Sequence, residues 1–311
     1  MVPAVRVYVT GASGFVGGHV AAALADRGDD VVVERVDLLD TAGIDRALDG
    51  CDALVHVAAL YSYRASAAAL RRANVEGTRS VLEAARRRGV ERIVVTSTAG
   101  TCGPVRGRPA TETDAMPSWE AAVPYKRTKL EAEELALAAG AVVVNPTAPL
   151  GSGDRRPTPT GRVVAGVVRR RVRGYLAHTG LNVVDVRDVA AGHLLALERG
   201  VPGRRYLLGG ENVALEELFA RIAALAGVPA PGLRVPYAAA RALAAVGLLN
   251  RNEVRLARLP MYFDSTRAER ELGYRARPVG QALQLAVADV LARTSRSAPS
   301  ASAEPAIPSR T

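Results

Sequence analysis

The segment Tyr125-Lys126-Arg127-Thr128-Lys129 sets a phenol and an ammonium four residues apart, which puts both on one face of a helix. A tyrosine, with a pKa of about 10, is a poor acid–base catalyst at neutral pH; an adjacent cation favours the phenolate and lowers that value. Composition isolates the pair. Of 41 basic residues only Lys126 and Lys129 are lysines, leaving 41 − 2 = 39 arginines. Arginine stays fully ionised and has a different shape, so lysine at these positions points to its reach and its titratable charge.

A second cluster lies near the start of the chain. An apolar run ends in Thr10-Gly11-Ala12-Ser13-Gly14-Phe15-Val16-Gly17, which opens a helical pattern. Gly11 permits a tight turn, Gly14 lets the backbone approach a pyrophosphate, and Gly17 lets helix and sheet pack closely. The helix then presents free N–H groups and its positive dipole end to phosphates, with Ser13, Phe15 and Val16 in the same turn. A dinucleotide site follows, and Lys129 has the donors to hold a nicotinamide ribose. Between the clusters, Thr96-Ser97-Thr98 ends an apolar strand, where a hydroxyl could bind a substrate carbonyl and stabilise developing alkoxide charge. Thr96 and Ser97 also fit as residues that simply end the strand. Asn74 is a polar residue in an Ala-, Leu- and Arg-rich helical segment and reads as a solvated or back-bonded amide.

The elements needed to position these groups alternate along the first half. Strands are expected at 5–10, 31–36, 53–58, 92–96 and 142–145, and helices at 14–27, 41–49, 67–88 and 125–139. Uninterrupted apolar strands separated by helices argue for an α/β fold, a Rossmann-type doubly wound parallel sheet. After Pro149 a Gly-, Pro-, Ser- and Thr-rich loop covers 151–161. The run 183–189 reads as a strand feeding a helix with Asp188 as its N-cap, 206–208 as a short strand, 215–226 as a helix, and 237–258 as further helices. The expected division is a dinucleotide-binding domain at 1–148, to which 183–206 returns. A smaller substrate-binding region takes 149–182 and 207–292, and a disordered tail 293–311.

The chain has 311 residues, 49% hydrophobic and 23% charged, a globular composition with room for one or two domains. Its net charge of +10 raises nucleic acid as a partner. No helix-turn-helix or aromatic–basic platform accompanies the charge, and the arginine bias reads as genomic, so no nucleic-acid partner is expected. No apolar run spans a bilayer and no signal peptide is evident, so no membrane partner and a cytoplasmic location are expected. Cys51 and Cys102 are too few for a disulfide framework, and no metal site is expected.

As an ordered set these residues resemble the extended short-chain dehydrogenase/reductase family, the NAD-dependent epimerase/dehydratase group, over about 5–292. TGASGFVG at 10–17 resembles its glycine motif, and His56-Val57-Ala58-Ala59 resembles the element lying against the cofactor. NVEGT at 74–78 resembles the helix whose Asn, here Asn74, helps organise the active site. TST at 96–98 would make Thr98 the catalytic hydroxyl, with Thr96 beside the cofactor; YKRTK supplies Tyr125 and Lys129; and Asn145-Pro146-Thr147 resembles the segment touching the nicotinamide. Within the family the nearest likeness is to dihydroflavonol-reductase-like proteins, including hopanoid-associated sugar epimerases, carried by segments such as Gly192-His193-Leu194-Leu195-Ala196-Leu197-Glu198 and Tyr206-Leu207-Leu208-Gly209-Gly210-Glu211-Asn212. One departure is visible. The family has two strand–helix units between the glycine-loop helix and the strand at 53–58; here there is room for one. Glu34 and Arg35 fall at the ribose-reading position, Glu34 favouring NAD and Arg35 tolerating NADP, while Val36-Asp37-Leu38 resembles the motif bordering the adenine.

The resemblance implies hydride transfer between NAD(P)(H) and a ketone or secondary alcohol of a small molecule. Tyr125 would donate the proton, Lys129 would lower its pKa and hold the ribose, and Thr98 would bind the oxygen. A nucleotide-sugar epimerase with retained cofactor uses the same groups, and a non-catalytic cofactor-binding protein is the rival from another class. A dehydratase would need carboxylates after the catalytic hydroxyl, and Thr98-Ala99-Gly100 has none. Tyr61, Tyr63, Arg162, His178 and Asn182 are candidate substrate contacts, and the family often forms homodimers through the helix at 125–139.

Overall fold

The structure, a computed structural model, describes residues 4–63 and 65–296. Six parallel strands form the main sheet in the order β2-β1-β3-β4-β5-β9. The chain enters through β1 (Arg6–Thr10), α1 (Phe15–Arg27), β2 (Asp30–Val32), α2 (Thr41–Ala47) and β3 (Ala53–His56). It continues through α3 (Ala67–Arg71), a π turn at Arg72–Glu76, α4 (Gly77–Arg87) and β4 (Arg92–Thr96). After a 3₁₀ turn at Ala99–Thr101 come α5 (Ser118–Ala121), α6 (Pro124–Ala138), β5 (Val142–Pro146) and β6 (Ala148–Leu150). Then follow α7 (Pro159–Val168), β7 (Gly174–Leu176), β8 (Gly180–Asp185), α8 (Val186–Arg199), β9 (Arg205–Leu208) and β10 (Glu211–Ala214). The chain closes with α9 (Leu215–Ala226), β11 (Leu233–Val235), α10 (Tyr237–Ala245), α11 (Arg251–Leu256), α12 (Thr266–Leu272) and α13 (Val279–Arg296).

The strand chemistry explains the layers. Every residue of β3 and β5 is buried, as expected of central parallel strands covered on both faces. On one face Val7, Val9, Val55, Val94 and Val144 pack with Val20 and Leu24 of α1 and Val189 of α8. On the other, Tyr8 and Leu54 meet Ile44 of α2 and Val81 of α4, while Val95 and Val143 meet Ala136 of α6. A second core joins α7, α9 and α13 to β8 and β10. It sits with a three-stranded sheet, β10-β8-β6, and a two-stranded one, β11-β7.

Several elements differ from expectation. Of the expected strand at 31–36 only Val31 and Val32 pair with β1, together with Asp30 before them. Beyond it Val36 and Leu38 leave the sheet to pack against the α2–α4 core, so the sheet ends at β2, with a single strand–helix unit before β3. The helix expected at 67–88 is interrupted by the π turn around Asn74. The N-cap of α8 is Asp185, whose carboxylate accepts from Arg187 N at 2.8 Å; Asp188 lies inside the first turn and pairs with Arg277 at 3.2 Å. The strand before α8 belongs to the small sheet, whereas β9 returns to the large one. Helix α13 runs to Arg296, past the expected start of the tail at 293, and 297–311 lie outside the described residues.

Candidate active site

Helix α6 starts on Pro124, whose fixed φ suits the first helical position. Tyr125, Lys129 and Glu133 then recur every fourth residue on one buried stripe. Lys129 Nζ donates to the Thr96 carbonyl at 2.8 Å. The Tyr125 ring packs edge-on against Tyr61 and Tyr63, with centroids 4.5 and 5.8 Å away. Burial, and then the Tyr63 hydroxyl, push the phenol well above its ordinary pKa. This corrects the expectation that the ammonium lowers it: desolvation dominates at a buried phenol, and the ammonium is committed to the Thr96 carbonyl. Burial acts on Lys129 too, bringing its pKa down to about 8 against the opposing pull of Glu133.

The end of β4 distributes its hydroxyls differently. The Thr96 hydroxyl lies 2.8 Å from His193 Nε2, while His193 Nδ1 lies 2.7 Å from the Val189 carbonyl. A carbonyl only accepts, so Nδ1 carries the proton, Nε2 accepts, and Thr96 is the donor. Burial lowers the His193 pKa to about 4, which keeps the ring neutral. Thr96 is thus committed to the fold through both its hydroxyl and its carbonyl. The Thr98 hydroxyl has only a 3.4 Å contact from Gly100 N and faces the adjoining cavity. Ser97 Oγ and Thr147 Oγ1 are buried in the same wall without a hydrogen-bond partner among the described residues.

The glycine loop is as tight as its spacing implies. Gly11 adopts φ +72°, and a Cβ there would lie 2.8 Å from the Ala58 backbone. A Cβ on Gly17 would lie 2.2 Å from the Gly11 carbonyl oxygen, so Gly17 is held by the turn itself rather than only by helix–sheet packing. The N-cap of α1 is Gly14 with no capping side chain, which leaves the first-turn N–H groups for an anion. Beside them a cavity of about 160 Å³ is lined by Ser13, Glu34, Arg35, Leu38 and Ala58 among others. This open helix start, glycine cradle and adjoining cavity fit the phosphate and adenosine parts of a dinucleotide, and the partnerless hydroxyls of Ser97 and Thr147 fit its other end. Two candidates lie elsewhere. Asp37 is exposed and accepts from Leu39 N at 3.1 Å, and Ala59 is exposed and outside the cavity wall; the Phe15 ring turns to His19 and to a separate cavity beside Pro149 and Gly151, while its backbone N–H belongs to the open first turn of α1. Val16 and Pro146 line the Tyr125 cavity.

Asn74 is not solvated. It is buried, its Oδ1 accepting from Leu60 N at 2.7 Å and its Nδ2 donating to the Leu60 carbonyl at 3.1 Å and Thr128 Oγ1 at 3.2 Å. The amide therefore ties the loop carrying Tyr61 and Tyr63 to α6. Its own carbonyl accepts from the Thr78 hydroxyl at 2.6 Å; Thr78 must then accept from His56 Nε2 at 3.0 Å, and His56 Nδ1 from Thr10 Oγ1 at 2.7 Å. That ordered chain needs a neutral ring, and burial lowers the His56 pKa to about 3.

The cavity facing Tyr125 and Thr98 has a volume of about 420 Å³, within the range for small-molecule sites. Leu181, Leu215, Phe219, Leu256, Met261 and Phe263 dominate its far wall. Tyr61 and Tyr63 line it. Asn182 does too, but its Oδ1 accepts from Gly210 N at 2.8 Å and its Nδ2 donates to Asn212 Oδ1 at 2.8 Å, so it holds the loops together. Arg162 is outside the wall and donates to the Pro157 carbonyl, and His178 lines other cavities. Sequence reasoning gave Lys126 no role: it is the only charged residue lining this cavity among the described residues, and it pairs at 3.0 Å with buried Glu120. The scarcity of lysine was its signal. The buried Glu133 carboxylate, receiving Arg205 at 2.8 Å and Asn145 Nδ2 at 2.7 Å, was legible only as a continuation of the 125–129 spacing. Phe219, Met261 and Phe263 carried no local signal.

The model of the NAD dependent epimerase/dehydratase family matches residues 7–209, and the chain belongs to that family, the extended short-chain dehydrogenases/reductases. It is 37% identical over 320 residues to a Synechocystis protein named "Putative dihydroflavonol 4-reductase", covering 90% of this chain and 93% of that one. Sterol demethylase protein B of Methylococcus capsulatus is 32% identical, covering 85% and 92%. The crystal structure of PA4631, titled a nucleoside-diphosphate-sugar epimerase from Pseudomonas aeruginosa, superposes with a TM-score of 0.80 at 29% identity, covering 93% of this chain and 98% of that one. The chain is an NAD(P)-dependent enzyme of the reductase/epimerase type, which sets aside the non-catalytic reading. No helix among the described residues is long and apolar enough to cross a membrane.

Proposed function

We propose that the protein reduces a ketone on a lipophilic small molecule, or oxidises the corresponding secondary alcohol, with Tyr125, Lys129 and Thr98 at the reacting oxygen. The observation carrying this reading is the cavity wall: apolar residues surround Tyr125, and the one lysine is neutralised by Glu120. A nucleotide sugar brings a diphosphate, which calls for unpaired cations, whereas the one charged side chain of this wall is paired. A nicotinamide bound in the adjoining cleft supplies or accepts the hydride. Tyr125 is protonated, since burial raises its pKa, and can hand that proton to the carbonyl oxygen as alkoxide charge develops there, while the new C–H bond forms and the C=O π bond breaks. Lys129, still cationic at neutral pH with a pKa of about 8, is suited to stabilise the phenolate left behind. Thr98 donates to the same oxygen. Asn74 acts at one remove, by holding the Tyr61–Tyr63 loop.

A nucleotide-sugar epimerase is the second reading, favoured by the likeness to the Pseudomonas structure so titled. Net consumption of NADH or NADPH with an apolar ketone supports the first; cofactor retained without net turnover supports the second. Tyr125→Phe should lower turnover by about 10²–10⁴-fold while cofactor affinity is unchanged. Full turnover by that variant would remove Tyr125 from the chemistry. Glu34 and Arg35 both line the adenosine-side cavity, so parallel NADH and NADPH titrations decide the preference.

A further inference from the structure

The helical hairpin α10–α11 carries an arrangement that hydride transfer does not use. Val246 and Leu248, in the turn between its helices, are each 72% exposed, with Leu249 at 41% and Leu243 at 38%. Such a turn ordinarily carries polar residues, so four exposed aliphatic side chains at one tip need an account. Beside the tip lies an open basin of about 1010 Å³ walled by Arg106, Arg241, Arg251, Arg255 and Arg258, with no carboxylate in its lining. Arg251 donates to the Ala244 and Ala245 carbonyls at the end of α10, and Arg258 lies 5.7 Å over the Trp119 ring. Among the described residues Arg106, Arg241, Arg255 and Arg258 make no ion pair. Residues 237–258 hold four arginines against one acid, Glu253, a local charge of 4 − 1 = +3.

We propose that this hairpin docks the enzyme on an anionic lipid bilayer, its Val246–Leu249 turn entering the acyl boundary and its arginines meeting headgroup phosphates. An aliphatic tip rimmed by unpaired guanidinium groups matches an apolar layer beneath a negative surface. A second copy of the chain is a poorer occupant, because a two-fold contact would set one basic basin against another. Nothing here requires a spanning segment. The hairpin also supplies Leu256 and Ala257 to the wall of the Tyr125 cavity, and Ala257 lines the basin as well. Docking would therefore hold that wall at the surface where a lipophilic substrate dissolves. This route rests on the proposed substrate class, whereas docking itself does not.

The test uses the full chain and vesicles of phosphatidylcholine alone or of an equimolar mixture with phosphatidylglycerol. The expected result is co-sedimentation with the anionic vesicles only, weakened by salt, with a fluorescence change of Trp119, the one tryptophan of the chain. Arg241→Gln/Arg255→Gln/Arg258→Gln should weaken partitioning by about 100-fold, on the scale of three charges near such a surface. Val246→Ser/Leu248→Ser/Leu249→Ser should abolish it. Arg86→Gln/Arg92→Gln/Arg270→Gln, three exposed arginines elsewhere, should leave at least a third of it. Unchanged NADH or NADPH binding in all three variants controls for folding and separates this result from the catalytic reading. No binding to either vesicle, equal losses in all three variants, or a dimer in sedimentation velocity that the serine variant dissociates would each overturn the proposal.

Discussion

Replacing Lys129 by methionine should make the cofactor-free protein more stable at neutral pH, and the gain should vanish in alkali. Burial drops the Lys129 pKa from 10.5 to about 8. A group with a depressed folded pKa contributes stability that is fully present above its unfolded value and is lost as the pH falls through the folded one. For Lys129 that window runs from 10.5 down to about 8. At about 1.4 kcal/mol per pH unit the gap corresponds to about 3 kcal/mol of native-state cost at neutral pH. Methionine fills similar volume with no charge, and the Thr96 carbonyl it leaves without this donor offsets about 1–2 kcal/mol. Lys129→Met should therefore gain about 1–2 kcal/mol at pH 7.5, or about 2–4 °C in Tm. Urea unfolding of both proteins at pH 7.5 and at pH 10 measures the difference twice. The variant's advantage should fall by about 2–3 kcal/mol across that interval, because native Lys129 is by then neutral. A difference that does not change with pH would refute the burial argument, as would a variant less stable at pH 7.5. Turnover by the variant should be lost throughout, so stability and activity move in opposite directions.

Other outcomes follow from single contacts. Asn74→Ala removes three hydrogen bonds around Leu60 and Thr128 and should cost about 1–3 kcal/mol in urea unfolding. Because it frees the loop that places Tyr61 and Tyr63 over Tyr125, it should raise KM for the carbonyl substrate while leaving dinucleotide affinity unchanged. Gly17→Ala would set a Cβ 2.2 Å from the Gly11 carbonyl oxygen and should weaken dinucleotide binding at least ~10-fold by calorimetry, since the turn that faces the pyrophosphate must move. Gly18→Ala is the control, its Cβ falling 3.2 Å from the Ala12 carbonyl oxygen.

The parallel sheet, its glycine loop and the Tyr125–Lys129 spacing could be read from the sequence because each is a local pattern with a local cause. Continuous apolar strands need two covered faces, three glycines need a turn that a Cβ would block, and residues four apart share a helix face. Sequence also exposed the missing strand–helix unit, by leaving too few residues between α1 and β3. What it could not supply was desolvation. Whether Lys129 acidifies Tyr125 depends on how completely the two are enclosed, and burial by Tyr61 and Tyr63 reverses the sign expected from proximity alone. Asn74 read as a surface amide because its partners Leu60 and Thr128 come from other elements. Asp188 lost the N-cap of α8 to Asp185 because β8 stops at Asp185, three residues sooner than its apolar run suggested, and the helix begins there. The cavity's apolar character arises from Phe219, Leu256, Met261 and Phe263, distant along the chain and brought together only by packing. The sequence determined the cleft and the side chains at its centre; tertiary structure decided the electrostatics and the shape of the space around them, because both are sums over neighbours that no local spacing encodes.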